Sequence, residues 1–391
     1  MRLVNLVTQW EDGAMPRATA AALRATAAVL AEVGRPLEIR HDVEVEAPRT
    51  GEVRVRMTAS GVCHSDLSMQ DGTMLAAVPM VLGHEGAGVI ESVGPDVVDL
   101  APGDHVVISW VAQCGKCYWC GRGQPQLCDV ARSAMASGGL LDGTTRMTSG
   151  GTALHQMAGS GTFSEMTVVP AIGVVRIPED FDLRLAALIG CAVLTGVGAA
   201  TNTADIAEGD TVAVVGCGGV GLNVIQGARL AGATDVIAID VNDSKLALAT
   251  QFGATATLDA RQGDPVSRVM SMTGERGADV AFEVIGQQAT IDQTLTMTRR
   301  GGQAILVGVP AMDAMVSQPA FFGVVLSEKT IKGCWYGSSD VRRDVPRLIG
   351  LYRSGRLKLD ELVSATIGLE DVNSALAAMK AGEVARSVIA Y

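Results

Sequence analysis

Along residues 25–109 the hydrophobic positions come in short β-branched runs broken by Gly, Pro and Asp, and one of them, Glu52-Val-Arg-Val-Arg-Met57, alternates polar and apolar residues strictly. A period of two puts successive side chains on opposite faces of an extended strand, so this part of the chain predicts a β-rich, partly antiparallel unit with an early strand over residues 25–30. From Thr211 the pattern changes. Residues 212–215 are apolar without interruption, a Gly-rich turn comes next, and a helical pattern leads to a second apolar run at 235–239; the theme returns at 280–284 and 303–307. Unbroken apolar runs belong to strands covered on both faces, and their alternation with helices predicts βα repeats of a parallel, doubly wound sheet. Beyond Lys332 the pattern predicts helices over 345–353 and 371–381 and a closing strand at 388–390.

Length and charge narrow the possibilities. A chain of 391 residues is sized for two domains. Its 42 acidic against 31 basic residues, a formal charge of -11, argue against nucleic acid or an anionic membrane as a partner. No apolar run is read as reaching the roughly 18 residues of a spanning helix, and residues 1–30 lack the basic start and apolar core of an export signal, so a cytoplasmic protein is expected. Residues 1–22 read as an extension ahead of the first strand.

Cysteine usage points to metal. Of eight cysteines, Cys114, Cys117, Cys120 and Cys128 form C-x2-C-x2-C-x7-C among glycines. Four thiolates at short spacing suit tetrahedral zinc in a structural site, whereas disulfides are not expected in such a chain. A second set is dispersed: Cys63 and His64 in Gly61-Val-Cys-His-Ser-Asp66, His84 and Glu85 in Gly83-His-Glu-Gly-Ala-Gly88, and Cys191 in Ile189-Gly-Cys-Ala-Val193. Two thiolates and one imidazole would leave the fourth position of a zinc ion open, as a catalytic site requires. Taken singly each has an ordinary alternative: Cys191 as a small buried hydrophobe, His84 as a turn histidine, Glu85 as a surface charge.

Gly216-Cys-Gly-Gly-Val-Gly221 comes directly after the buried run at 212–215 and opens a helix. Its first glycine permits a tight turn, the second (Gly218) lets backbone approach a pyrophosphate, the third lets helix and strand pack closely, and the helix N-terminus at Gly219 and Val220 offers free N–H groups. Asp240 lies 24 positions after Gly216. A carboxylate at the end of the second strand accepts ribose hydroxyls and repels a 2′-phosphate, which favours NAD over NADP.

Together these motifs resemble the medium-chain zinc alcohol dehydrogenases, over residues 25–391 and also through the tail at 382–388. The resemblance implies an α/β fold: a Rossmann doubly wound parallel sheet domain, residues 193–333, inserted into a β-rich GroES-like catalytic domain of residues 1–192 and 334–391. It implies two zinc ions, one structural on the four-cysteine loop and one catalytic on Cys63, His84 and Cys191 with Glu85 as an alternative ligand; Asp66 would orient the histidine. Ser65 matches the first member of the family's proton relay. Some members carry a histidine five positions after the first zinc cysteine, where this chain has Ser68. His64 and Arg386 match contacts to the coenzyme pyrophosphate, Lys245 one near the adenosine ribose, and Thr195 and Val309 further coenzyme positions. Trp110, Met157, Ala158, Leu194, Val309 and Tyr336 match or flank pocket positions, and an apolar pocket suits a primary medium-chain or aromatic alcohol. Arg132 matches the arginine that holds a glutathione carboxylate in the formaldehyde dehydrogenase class of the dimeric branch, while residues 72–76 carry none of that class's acidic residues. The expected activity is NAD-dependent oxidation of an alcohol by a homodimer, the alternatives being a thiol-adduct formaldehyde dehydrogenase and a coenzyme-binding protein without catalysis. Three retained metal ligands speak against the last.

Overall fold

The computed structural model describes residues 21–382 and 386–391. The N-terminal extension, except for its last two residues, lies outside them.

Two β assemblies build the first part of the chain. Leu23–Leu30, Glu38–Val45, Met147–Ser149, Thr152–Gln156 and Met80–Val81 close into a small barrel. Beside it a seven-stranded sheet runs in the order Val174–Arg176, His105–Ile108, Glu85–Val93, Glu52–Gly61, Ser387–Ala390 and Ala365–Ile367, with Met166–Pro170 pairing on Glu52–Gly61. The strand at Glu52–Gly61 is central. Three antiparallel partners share its two edges, so it is buried at almost every position and its alternation decides orientation more than exposure.

The second part is a six-stranded parallel sheet, ordered Ala256–Asp259, Asp235–Asp240, Thr211–Val215, Ala278–Glu283, Thr298–Leu306, Thr330–Gly333. Its central strand Thr211–Val215 pairs with neighbours on both sides, and the order reverses there, a switch point that opens a crevice at the carboxyl ends of the strands. The closing helices are Val341–Arg353 and Val372–Lys380.

One long helical run joins the two parts and corrects the sequence reading. Leu183–Thr203 is 21 residues long and apolar enough to cross a membrane by length and composition, yet 94% of its apolar window is buried inside the protein. Arg184, Thr195 and Asn202 interrupt its apolarity and hid its length. It packs closely on the helix Gly219–Ala231 because small residues meet there: a Cβ on Gly196 would stand 2.4 Å from Asn223 Cβ, and one on Gly227 2.9 Å from Val197 Cα. The expected junction between residues 192 and 193 falls within this run. The segment between Cys128 and Phe163 contains the helix Asp129–Ser137 and two strands of the barrel.

Candidate functional site

Strand register brings the dispersed motifs together. Gly61 at the end of its strand faces Glu85 at the start of the neighbouring strand, and Val388 faces Gly61 from the other side. Cys63 just past Gly61, His84 just ahead of Glu85 and Arg386 just ahead of Val388 therefore meet at one sheet edge. Gly61 is required there, since a Cβ would lie 2.1 Å from Glu85 Oε2. Cys191 arrives from the long helix, and the ligand atoms of Cys63, His84, Glu85 and Cys191 all lie within 4.8 Å of one another, every residue buried.

Asp66 locks this arrangement. In the first turn of helix His64–Asp71 its Oδ2 accepts from the Cys63 N–H at 2.8 Å, while Oδ1 accepts from the Gly83 N–H at 3.1 Å and stands 3.2 Å from His84 Nδ1. A carboxylate only accepts, so the proton sits on Nδ1 and the Nε2 lone pair is free for a metal. The hydrogen bond from Cys191, with Arg386 and His84 nearby, draws the Cys63 thiol well below its ordinary range; the same contact, with burial, pushes Cys191 well above it. One proton shared by two converging thiols is the state a divalent cation displaces. Burial disfavours the His84 cation, but Asp66 and Cys63 outweigh it and raise the imidazole. Burial pushes Glu85 up to about 8 despite Arg386. Ser65 Oγ is 3.8 Å from Cys63 Sγ, while Ser68 is buried in the same helix.

Arg386 connects this edge to the glycine-rich turn. Its guanidinium is buried, donates to the Val62 carbonyl at 3.0 Å and lies 3.2 Å from Glu85 Oε1, a charge contact without hydrogen-bond geometry. Its Nε would be 2.2 Å from a Cβ on Gly219. Only glycine leaves room for it against the helix N-terminus. That helix has no side-chain cap, Gly218 opens onto free space, and Val220 is half-buried behind it. Free N–H groups facing an open cradle fit a pyrophosphate. Asp240 accepts from the N–H groups of Cys217 at 2.8 Å, Val241 at 2.8 Å and Asn242 at 3.0 Å, which fixes its carboxylate at the strand end. Lys245, half-buried in the next helix, comes near Gly382. His64 is exposed and Thr195 half-buried.

The second thiol cluster is equally compact. The sulfurs of Cys114, Cys117, Cys120 and Cys128 lie within 4.8 Å of one another, and the Cys114 and Cys117 N–H groups donate to Cys128 and Cys114 sulfurs at 3.4 and 3.3 Å. Backbone donors at Cys120 and Asp129 lower Cys117 to about 6, and burial raises Cys120 to about 12. Four thiols converging on one point, with backbone N–H groups aimed at the sulfurs, are a donor set suited to zinc.

Trp110, Ala158, Ala131, Ala134, Leu140 and Leu141 line a small apolar hollow that reaches the converging ligands only through Trp110. Trp110 stacks its ring edgewise on His84 at 6.3 Å and packs on Trp335 and Tyr336 at 5.0 and 4.4 Å. The remaining pocket residues named from sequence separate. Met157 joins the core around Leu82 and Phe163, Leu194 lines a second small hollow with Asn202 and Arg347, and Val309 is exposed. Arg132 is exposed on the helix whose Ala131 and Ala134 line the first hollow. The Tyr336 hydroxyl is engaged elsewhere, donating to the Gly190 carbonyl at 2.5 Å. Sequence reading missed Trp335, the seat that Gly61 makes for Glu85, and the Gly190 contact; the glycine at position 61 was the one available signal.

Known proteins share this architecture. Residues 49–179 match the alcohol dehydrogenase GroES-like domain family and residues 219–353 the zinc-binding dehydrogenase family. The chain is 38% identical to the NDMA-dependent alcohol dehydrogenase of Amycolatopsis methanolica, over 94% of this chain and 99% of that protein. It is 37% identical to the S-(hydroxymethyl)glutathione dehydrogenase of Paracoccus denitrificans, over 94% and 100%. Among solved structures, benzyl alcohol dehydrogenase from Acinetobacter calcoaceticus superposes with a TM-score of 0.88 at 30% identity, covering 94% of this chain and 99% of that one.

Proposed function

The chain belongs to the zinc-dependent alcohol dehydrogenase family, and on that premise we propose that it interconverts a primary medium-chain or aromatic alcohol and its aldehyde, with NAD as coenzyme and two zinc ions per chain. The observation that carries this reading is the buried convergence of Cys63, His84 and Cys191, with Arg386 linking that edge to a free helix N-terminus. When bound, zinc polarises the substrate oxygen and the nicotinamide accepts or returns the hydride.

The chain's own residues do the rest. Cys63, His84 and Cys191 hold the catalytic metal, Asp66 keeps the imidazole in the tautomer that binds it, and Glu85 stands by as a further carboxylate whose charge Arg386 balances. Cys114, Cys117, Cys120 and Cys128 hold the second ion. Ser65 relays the alcohol proton, its hydroxyl donating one proton as it accepts another, and with Ser68 rather than a base in the outer position the proton leaves through water or another group. Gly216, Gly218, Gly219, Val220 and Gly221 seat the pyrophosphate with His64 and Arg386; Asp240 and Lys245 hold the adenosine ribose; Thr195 and Val309 complete the nicotinamide side. Trp110 and Ala158 shape the substrate cleft. Residues 1–192 and 334–391 form the catalytic domain, residues 193–333 the coenzyme domain, in a cytoplasmic homodimer.

A second reading is favoured by Arg132. Its guanidinium makes no ion pair among the described residues and sits on the helix that walls the hollow beside Trp110, where it would hold the carboxylate of a thiol adduct, the kind of substrate named for the Paracoccus relative.

One assay set decides between them. Zinc-loaded protein is given benzyl alcohol, hexanol or S-hydroxymethyl glutathione with NAD, NADP or NDMA as acceptor. NADH formation from NAD with the simple alcohols, and little NADPH from NADP, is expected. Formaldehyde oxidation that requires added thiol and is lost in Arg132→Ala promotes the second reading. No reduced product from any alcohol sinks both.

A further inference from the structure

Cys191 rides on a part of the long helix that departs from α geometry. Residues Ile189–Val193 form a π-turn between the α-helical segments Leu183–Leu188 and Leu194–Gly198. Such a turn moves hydrogen bonding from i→i+4 to i→i+5, widens the helix locally and leaves carbonyls without their usual donor. Gly190, the residue before Cys191, receives a donor from far along the chain: the Tyr336 hydroxyl, at 2.5 Å. The same oxygen lies 3.3 Å from Ser109 Oγ, in the turn that leads to Trp110. Burial pushes the phenol up, so it is a proton donor throughout the working pH range.

The backbone that delivers this side chain is strained. Tyr336, Gly337 and Ser338 have φ of 53°, 65° and 47°, the left-handed region, which residues with a side chain adopt only under constraint. Packing holds them there. A Cβ on Gly337 would lie 2.2 Å from the Leu194 carbonyl, and one on Gly198 2.3 Å from the Gly337 carbonyl. A phenylalanine ring would fill the same space against Trp110. What the hydroxyl adds is a bond to the turn that carries Cys191.

We propose that Tyr336 is a positioning residue for the catalytic metal: its hydroxyl, by holding the Gly190 carbonyl, fixes the π-turn so that the Cys191 thiolate points at the same centre as Cys63 and His84. The proposal rests on the zinc reading of those three residues given above. It gives the strained turn a purpose, because the turn leaves the coenzyme sheet just after Thr330–Gly333 and ties that sheet's last strand to a metal ligand.

Tyr336→Phe tests it with metal as the readout. Parent and variant are compared for zinc content, for zinc release to a competing chelator, and for the absorption of the cobalt-substituted protein. The four-cysteine zinc should be held equally by both, which also reports an intact fold. The second zinc should be held on the order of tenfold more weakly by the variant, with a shifted cobalt–thiolate band and a fall in kcat larger than any change in alcohol KM. Equal release of both ions with superimposable cobalt spectra overturns the role. So does a change confined to KM, which would leave Tyr336 without a role at the metal. A parent that binds a single zinc overturns the catalytic-zinc reading itself, and the two failures are thereby told apart.

Discussion

A methyl group added at Gly221 would lie 1.8 Å from the carbonyl oxygen of Gly216, which is backbone and cannot step aside, whereas one added at Gly218 meets nothing within 4 Å. Gly218 has φ of -75°, open to any residue. The two glycines of one turn thus serve different ends: Gly221 is needed by the fold, Gly218 by whatever approaches from outside. Gly218→Ala should leave the thermal midpoint of the coenzyme-free protein unchanged while weakening NAD binding about tenfold or more, because the methyl occupies the place of a phosphate. Gly221→Ala should lower stability by about 1–3 kcal/mol as well as binding. Thermal denaturation and NAD titration of both variants check this; a Gly218→Ala protein with parental NAD affinity would show that the dinucleotide lies elsewhere.

Helix starts show how local chemistry and long-range pairing divide the work between elements. Asp264 caps Pro265–Met272, accepting from the Ser267 N–H at 3.0 Å and the Ser267 hydroxyl at 2.6 Å, and these bonds to Ser267 hold its carboxyl below the usual range. Asp264→Ala should cost about 1 kcal/mol at neutral pH. Since the folded state lowers this pKa, the contribution is fully present above the unfolded value of about 3.9 and disappears as pH falls through the folded one. Denaturant midpoints should therefore differ equally between parent and variant at pH 7 and 5, and the difference should narrow only once the pH falls below the unfolded value; a difference that does not narrow on acidification contradicts the cap. Elements of this local kind were legible: apolar runs marked Thr211–Val215 and Asp235–Asp240 to within a residue or two. The π-turn at Ile189–Val193 was not, because a shift from i+4 to i+5 bonding leaves no mark on hydrophobic spacing. Neither was the place of Arg386. Its contact with Val62 joins residues 324 positions apart through the pairing of Ser387–Ala390 on Glu52–Gly61, and no local pattern encodes that register. Tyr336 was named as a pocket residue on resemblance, and its hydroxyl is committed to a carbonyl that sequence cannot point to.

Over the whole molecule, the apolar surface is unevenly spread. Residues 309–326 carry one charge, Asp313, and expose Met312 by 83%, Met315 by 68% and Phe322 by 71%, with Phe321, Val325 and Leu326 also exposed. Beside them Thr330–Gly333 is the last strand of the parallel sheet and pairs only with Thr298–Leu306 among the described residues, so one edge presents unused N–H and C=O groups. An apolar patch next to an open strand edge invites a second sheet. In the proposed homodimer a two-fold axis at this edge would pair like strands and cover like patches. Sedimentation should give twice the chain mass of 40.4 kDa. Phe322→Asp combined with Val325→Asp would bury two carboxylates in that contact and should return the mass to that of one chain, with the zinc content of the parent, since neither position belongs to a thiol cluster. The parent's thermal midpoint should rise with protein concentration and the variant's should not, because only a dimer couples stability to mass action. A parent that sediments as a single chain at micromolar concentration leaves the patch without this partner.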